Sequence, residues 1–142
     1  MSAYVQLPKL VRISPERLST LLLTQPTEQK VAVVDVRDSD HIGGHIKSSR
    51  HVPSGTLNYS LPELVRTLKQ TEKVVFHCVH SQERGPNAAQ KYIRERERTL
   101  GDAVKHQEIY VLDGGFAKWQ EKFGEDERLT ENYDKQLWAE GW

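Results

Sequence analysis

Cys78 is the only cysteine in the chain, and Arg84 follows it after five intervening residues. The surrounding segment reads His77-Cys78-Val79-His80-Ser81-Gln82-Glu83-Arg84-Gly85-Pro86. The reactive form of cysteine is the thiolate, which positive surroundings favour. A loop joining a strand to a helix can aim backbone N–H groups inward and set the positive end of the helix beneath the sulfur. Arg84 adds a permanent cation whose planar fork can grip two oxygens of a tetrahedral oxyanion. Ser81 is placed to donate a hydrogen bond to the sulfur and ease its departure in a second step. Gly85 permits a tight turn and Pro86 suits the first turn of a following helix. The chemistry open to this set is nucleophilic: Cys78 attacks an oxyanion cradled by Val79, His80, Ser81, Gln82, Glu83 and Arg84. A lone cysteine is more often a small buried apolar group. It is the combination of strand, spacing, serine and Gly-Pro that points to catalysis.

The elements around the loop follow from pattern. Lys30–Val36 and Lys73–Cys78 are nearly continuous apolar runs, as expected of strands covered on both faces of a parallel sheet. Glu108–Leu112 reads as a third strand, broken by Gly114-Gly115. Arg50–Pro53 reads as a short strand ended by proline. Helices are expected from Ser14-Pro15-Glu16 onward, with Ser14 as N-cap, over Leu61–Lys69, from Pro86 onward, and after Gly115. Ala88, Ala89, Tyr92 and Ile93 form the buried face of the third, and Phe116 and Trp119 are core. Strands separated by helices predict an α/β domain with a mostly parallel central sheet flanked by helices. Ligands bind such sheets beyond the carboxyl ends of the strands, and Cys78 lies at one of them.

Composition narrows the setting. A chain of 142 residues suits one domain, here with a core at about 10–123 and a C-terminal extension over 124–142. Hydrophobic residues at 37% and charged residues at 28% give a globular balance. Lys+Arg and Asp+Glu are equal at 20 each, so neither nucleic acid nor an anionic membrane is an expected partner. No apolar run approaches the roughly 20 residues of a membrane span, and Met1–Gln6 does not open a signal peptide. One thiol cannot form an internal disulfide and fits a reducing compartment; the expected location is the cytoplasm, with access to the nucleus. The histidines show no ligand spacing, so no metal site is expected. Tyr133, Trp138 and Trp142 predict that the extension docks on the core.

Three motifs together resemble the rhodanese fold. His77-Cys78-x5-Arg84 matches the signature of cysteine-based phosphatases. Its extended form, with Ser81, Gly85 and Pro86, resembles the cell-division-cycle twenty-five phosphatases and the related eukaryotic arsenate reductases. Asp35-Val36-Arg37-Asp38 with Gly43-Gly44-His45-Ile46-Lys47 resembles the first rhodanese signature, and Leu112–Trp119 the second. From the residues alone, Asp35 and Arg37 are two apart at a strand end and suit bracing of neighbouring loops. His45 suits capping or packing of a turn, and His77 suits a partly buried, hydrogen-bonded position.

The resemblance implies hydrolysis of phosphate monoesters, in a phosphorylated protein or a small phosphoester, through a phosphocysteine on Cys78, with no cofactor. Glu83 matches a loop glutamate proposed in that family to protonate the leaving oxygen; a side chain there can equally face solvent. The alternative is arsenate reduction on the same loop, with glutathione and glutaredoxin as reductant. Sulfur transfer, as in rhodaneses proper, ranks third, because their loop is one residue shorter. The chain size resembles the small fungal phosphatases of this type and the compact arsenate reductases. At position 36 the cell-cycle enzymes carry a cysteine able to form a protective disulfide; this chain has Val36.

Overall fold

The computed structural model describes residues 10–101 and 106–141; Met1–Gln6 and Trp142 lie outside them. Three buried runs make the centre of a sheet. Strands β2 (Val31–Asp35), β5 (Lys73–His77) and β6 (Glu108–Leu112) lie side by side, with β1 (Val11–Ile13) and β4 (Arg50–His51) at the edges. The order is β1-β6-β5-β2-β4 and every pairing is parallel. This is the α/β architecture with a parallel sheet that the sequence predicts.

Alternation along the strands builds a core on each face. Ala32, Val34, Val74, Phe76 and Val111 pack against helices α2 (Leu57–Thr67) and α3 (Arg84–Thr99). Val31, Val33, Val75, Tyr110 and Leu112 pack against α1 (Pro15–Thr24) and α4 (Gly115–Phe123), where Phe116 and Trp119 are fully buried. Both faces being covered explains why the strands read as apolar runs rather than alternating ones. Helix α1 starts as expected: the Ser14 hydroxyl accepts from the Arg17 N–H and Pro15 opens the helix.

Two boundaries move. Helix α2 begins at Leu57, after a short 3-10 turn at Ser54–Thr56, and carries Pro62 within it. Leu57, Leu61, Leu64 and Val65 share its buried face, which outweighs the one hydrogen bond that proline cannot donate. Helix α3 begins at Arg84, two residues before Pro86, so the arginine is its first residue. Ala88, Ala89 and Tyr92 are buried as expected, whereas Ile93 is only half-buried.

The extension docks on the core over its described residues. Strand β7 (Thr130–Glu131) pairs antiparallel with β3 (His45–Ile46). The Thr130 hydroxyl accepts from Trp119 Nε1 at 2.9 Å. Helix α5 (Lys135–Ala139) is capped by Asp134 and carries Trp138, whose ring lies 5.5 Å from that of Phe116 and whose Nε1 donates to the Gly43 carbonyl at 2.9 Å. Gly43 and Gly44 have positive φ, and a Cβ on Gly43 would sit 2.6 Å from Trp138 Nε1, so this Gly-Gly pair is where the extension crosses. Among the described residues no helix is long and apolar enough to cross a membrane.

Candidate active site

Parallel strands end on one side, and here three loops meet there. In the β2–β5 register Asp35 pairs with His77, so the segment after β2 lies beside the loop after β5. Strand β6 pairs along the other flank of β5 and delivers the start of α4 to the same place.

Cys78 begins the loop and is 4% exposed. Ser81 takes the left-handed conformation, with φ of 56°, which folds the loop back on itself. Its backbone N–H then donates to Cys78 Sγ at 3.2 Å, while its buried hydroxyl accepts from the Cys78 N–H at 3.4 Å. The hydrogen bond to sulfur expected from the Ser81 side chain thus comes from its main chain. Gly85 lies behind the loop, where a Cβ would meet Ser81 Oγ and the Cys78 nitrogen at 3.4 Å each.

The carbonyls of Cys78, Val79 and Ser81 are taken by the scaffold. Cys78 O accepts from the Phe116 N–H at 3.0 Å and lies 3.0 Å from His77 Nδ1. Val79 O accepts from the Ala117 N–H at 2.8 Å. Ser81 O accepts from the Arg12 guanidinium at 3.2 Å. Carbonyls drawn outward leave the opposite side of each peptide, with its N–H, facing the other way. Gly115 makes the α4 contact: its φ is +61°, and a Cβ would lie 2.4 Å from Val79 O and 2.6 Å from Cys78 O. The second signature motif is therefore a clamp on the Cys78–Arg84 loop. Its glycines were legible in the sequence, but their partner was not. Arg12 carried no signal at all, because only the fold brings β1 beside residue 81.

Arg84 is half-buried and faces the segment after β2. Nη1 and Nη2 donate to the two oxygens of Asp40 at 2.9 and 2.5 Å, and Nη1 also reaches Asp38 Oδ2 at 3.2 Å. These hydrogen bonds, Asp40 foremost, hold the arginine pKa above its usual value, so its charge is permanent. The sequence places Asp38 in the first signature without a role at the site, and Asp40 is not singled out. Two carboxylates two apart, directly after the Asp35-Val-Arg37 triplet, were the available signal. An open recess of about 260 Å³ at the loop mouth is lined by Asp40, Val79, His80 and Arg84. His80, Gln82 and Glu83 are exposed, and Glu83 is the residue just before α3, making no side-chain cap.

Asp35 and Arg37 are both fully buried. The guanidinium binds both Asp35 oxygens, at 2.7 to 3.1 Å, and donates onward to the carbonyls of Ile42 and Gly44 at 3.2 and 2.8 Å. Its plane lies 4.5 Å from the Phe116 ring centre. This pair braces the segment that carries Asp38 and Asp40. Burial acts to raise the Asp35 pKa, but His77, a hydrogen bond from His41 and the Arg37 fork outweigh it and hold the carboxyl well below the usual carboxylate range. His77 is pushed the other way from a charged state: burial lowers its pKa. The side chains that hydrogen-bond to the Asp35 carboxylate are Arg37 and His41. His77 is fully buried rather than partly so, and its Nε2 lies 3.7 Å from Asp35 with no hydrogen-bond partner. His45 caps the β3–β7 pairing, its Nε2 lying 3.2 Å from Glu131. His41 stacks on His51 at 3.8 Å and on His45 at 5.6 Å.

A parallel five-stranded sheet with a cysteine loop at the end of its central strand, buttressed by a Gly-Gly helix start, defines a rhodanese-type domain. The family model for the rhodanese-like domain matches residues 18–122, and the chain belongs to that family. It is 38% identical to the "CDC25-like phosphatase YCH1" of Saccharomyces cerevisiae over 81% of this chain and 82% of that one. It is 41% identical to "Arsenate reductase 2.2" of Oryza sativa subsp. japonica over 66% and 72% of the two chains. Among solved structures it resembles Ygr203w, described as a yeast protein tyrosine phosphatase of the rhodanese family, with a TM-score of 0.77 and 33% identity over 94% of this chain and 99% of that one.

Proposed function

We propose that this protein is a cysteine-dependent phosphatase that hydrolyses phosphate monoesters, in a phosphorylated protein or a small phosphoester. The observation that carries the reading is the loop of Cys78 to Arg84, in which the Ser81 N–H is bonded to the sulfur and a cationic fork stands at the rim. The thiolate attacks phosphorus while the ester P–O bond breaks, and its electron pair leaves on the ester oxygen, which takes up a proton. Loop N–H groups and the Arg84 fork hold the equatorial oxygens and stabilise the transition state. Water then attacks the phosphocysteine, the S–P bond breaks, and phosphate and thiolate are released. No cofactor takes part. Glu83 is the carboxyl within the loop itself and one source of the leaving-group proton. The lone thiol favours a reducing compartment, the cytoplasm, for this chemistry.

A second reading, arsenate reduction, is favoured by the rice relative and by the single cysteine. Arsenate has the shape and charge of phosphate, so the same loop suits it. Cys78 would form a thiol–arsenate adduct, with glutathione and glutaredoxin supplying the two electrons that take As(V) to As(III). Sulfur transfer stays disfavoured, because five residues between Cys78 and Arg84 suit a tetrahedral oxyanion. One preparation should be assayed for aryl phosphate hydrolysis and for glutathione- and glutaredoxin-dependent arsenate reduction. Hydrolysis is the expected activity, and Cys78→Ser abolishes it. A serine variant that retains turnover would rule out the mechanism.

A further inference from the structure

The Nη1–Nη2 edge of the Arg84 fork is already committed. Both of its terminal nitrogens are bonded to Asp40, in the two-point geometry that a phosphate would take. An oxyanion that takes the Nη1–Nη2 edge of Arg84 therefore displaces Asp40 from it. The two neighbouring aspartates are not equivalent in that exchange. Asp38 has other work: its oxygens accept from the Ser54 hydroxyl at 2.5 Å and the Gly55 N–H at 2.9 Å. When the arginine leaves, Asp40 keeps only main-chain donors, the Asp38 N–H at 2.8 Å and its own N–H. The arginine is also the foremost cause that holds Asp40 below the usual carboxylate range. Its departure, with a dianion arriving beside it, reverses that influence and favours the protonated acid.

Position supports a chemical role. Asp40 is the carboxylate lining the recess at the loop mouth, together with Val79, His80 and Arg84. Its segment is held from behind by Arg37 through the carbonyls of Ile42 and Gly44 and by His41 on Asp35. The charged and titratable groups beside it are Arg84 from α3, Asp38 on its own segment, and His80 from the loop.

We propose that Asp40 exchanges Arg84 with the oxyanion and, once released, donates the proton to the leaving oxygen. The proton enters from solvent as the anion docks. It passes to the ester oxygen as the P–O bond breaks, leaving Asp40 ionised to accept a proton from the water that attacks the phosphocysteine. This rests on the phosphatase reading and identifies its acid as Asp40 rather than Glu83.

Two measurements on the full chain test it. In calorimetric titration with sulfate, Asp40→Asn binds the anion about threefold or more tightly than wild type, because the competing carboxylate is gone. Equal or weaker sulfate binding overturns the exchange. In steady-state kinetics, Asp40→Asn lowers kcat for phenyl phosphate by about 100-fold or more, hardly changes it for dinitrophenyl phosphate, and loses the alkaline fall of the pH profile. Asp40→Ala gives the same leaving-group pattern. The same pattern in Glu83→Gln with Asp40→Asn unaffected overturns the assignment. Absence of hydrolysis by wild type overturns the phosphatase reading and the proton transfer with it, while the sulfate titration still decides the exchange.

Discussion

At the scale of single residues, the site depends on one sulfur. Cys78 is bonded to the Ser81 N–H, and position 36 beside it holds Val36, fully buried. The chain has one cysteine, so a sulfenic acid formed on Cys78 has no internal thiol to condense with. Peroxide is expected to inactivate the enzyme irreversibly in the absence of added thiol and reversibly in its presence. Recovery of activity after peroxide removal without any external thiol would refute this. The buried Asp35–Arg37 pair illustrates a different residue-level rule. Such a pair is weak as a source of stability, yet costly to break, at about 3–5 kcal/mol. Its value here lies in where the guanidinium reaches, onto the carbonyls that shape the Asp40 segment.

At the scale of elements, α4 is as much a part of the site as the loop. Gly115→Ala puts a methyl group 2.4 Å from Val79 O at a residue whose φ is +61°. We expect a loss of about 1–3 kcal/mol of stability from the strain. We also expect a fall in kcat for aryl phosphate, because the loop carbonyls lose their anchors. Urea unfolding together with aryl phosphate kinetics checks both. The contrast between elements also explains what could be read in advance. Strands β2, β5 and β6 were legible because burial on both faces writes a continuous apolar run. Strand β1 was not: it has three residues, and only Ile13 of them is buried. Strands β3 and β7 have two residues each and exist through their pairing. The Cys78–Arg84 spacing was legible because the chemistry is local in sequence. Arg12, Asp40 and Gly115 act on the loop from other elements, and no local pattern encodes such contacts.

For the molecule as a whole, both helical layers and the docked extension enclose a charged residue set at the carboxyl end of the sheet. His77 sits at its centre with its pKa lowered by burial. The unfolded chain has an ordinary histidine there, near pH 6.5. As pH falls below about 6.5 the unfolded state takes up a proton that the folded state refuses, so stability drops until the folded pKa is reached. Asp35 adds stability in the opposite range: it is present above the ordinary carboxylate pKa and is lost only in strong acid. Urea unfolding at pH 7.5 and 5.5 should reveal the His77 loss, and His77→Gln should remove most of the wild-type difference; parallel curves for the two proteins would exclude it. One arrangement has a further reach. Every loop carbonyl named above is anchored by β1, α4 or His77, none of them by His80, Gln82 or Glu83, which face outward. The duty of holding shape is thus separated from the residues that meet an incoming molecule. Those exposed positions are free to be exchanged in a directed-evolution library at little cost to folding, and selectivity among tetrahedral oxyanions can drift while the nucleophile stays where it is.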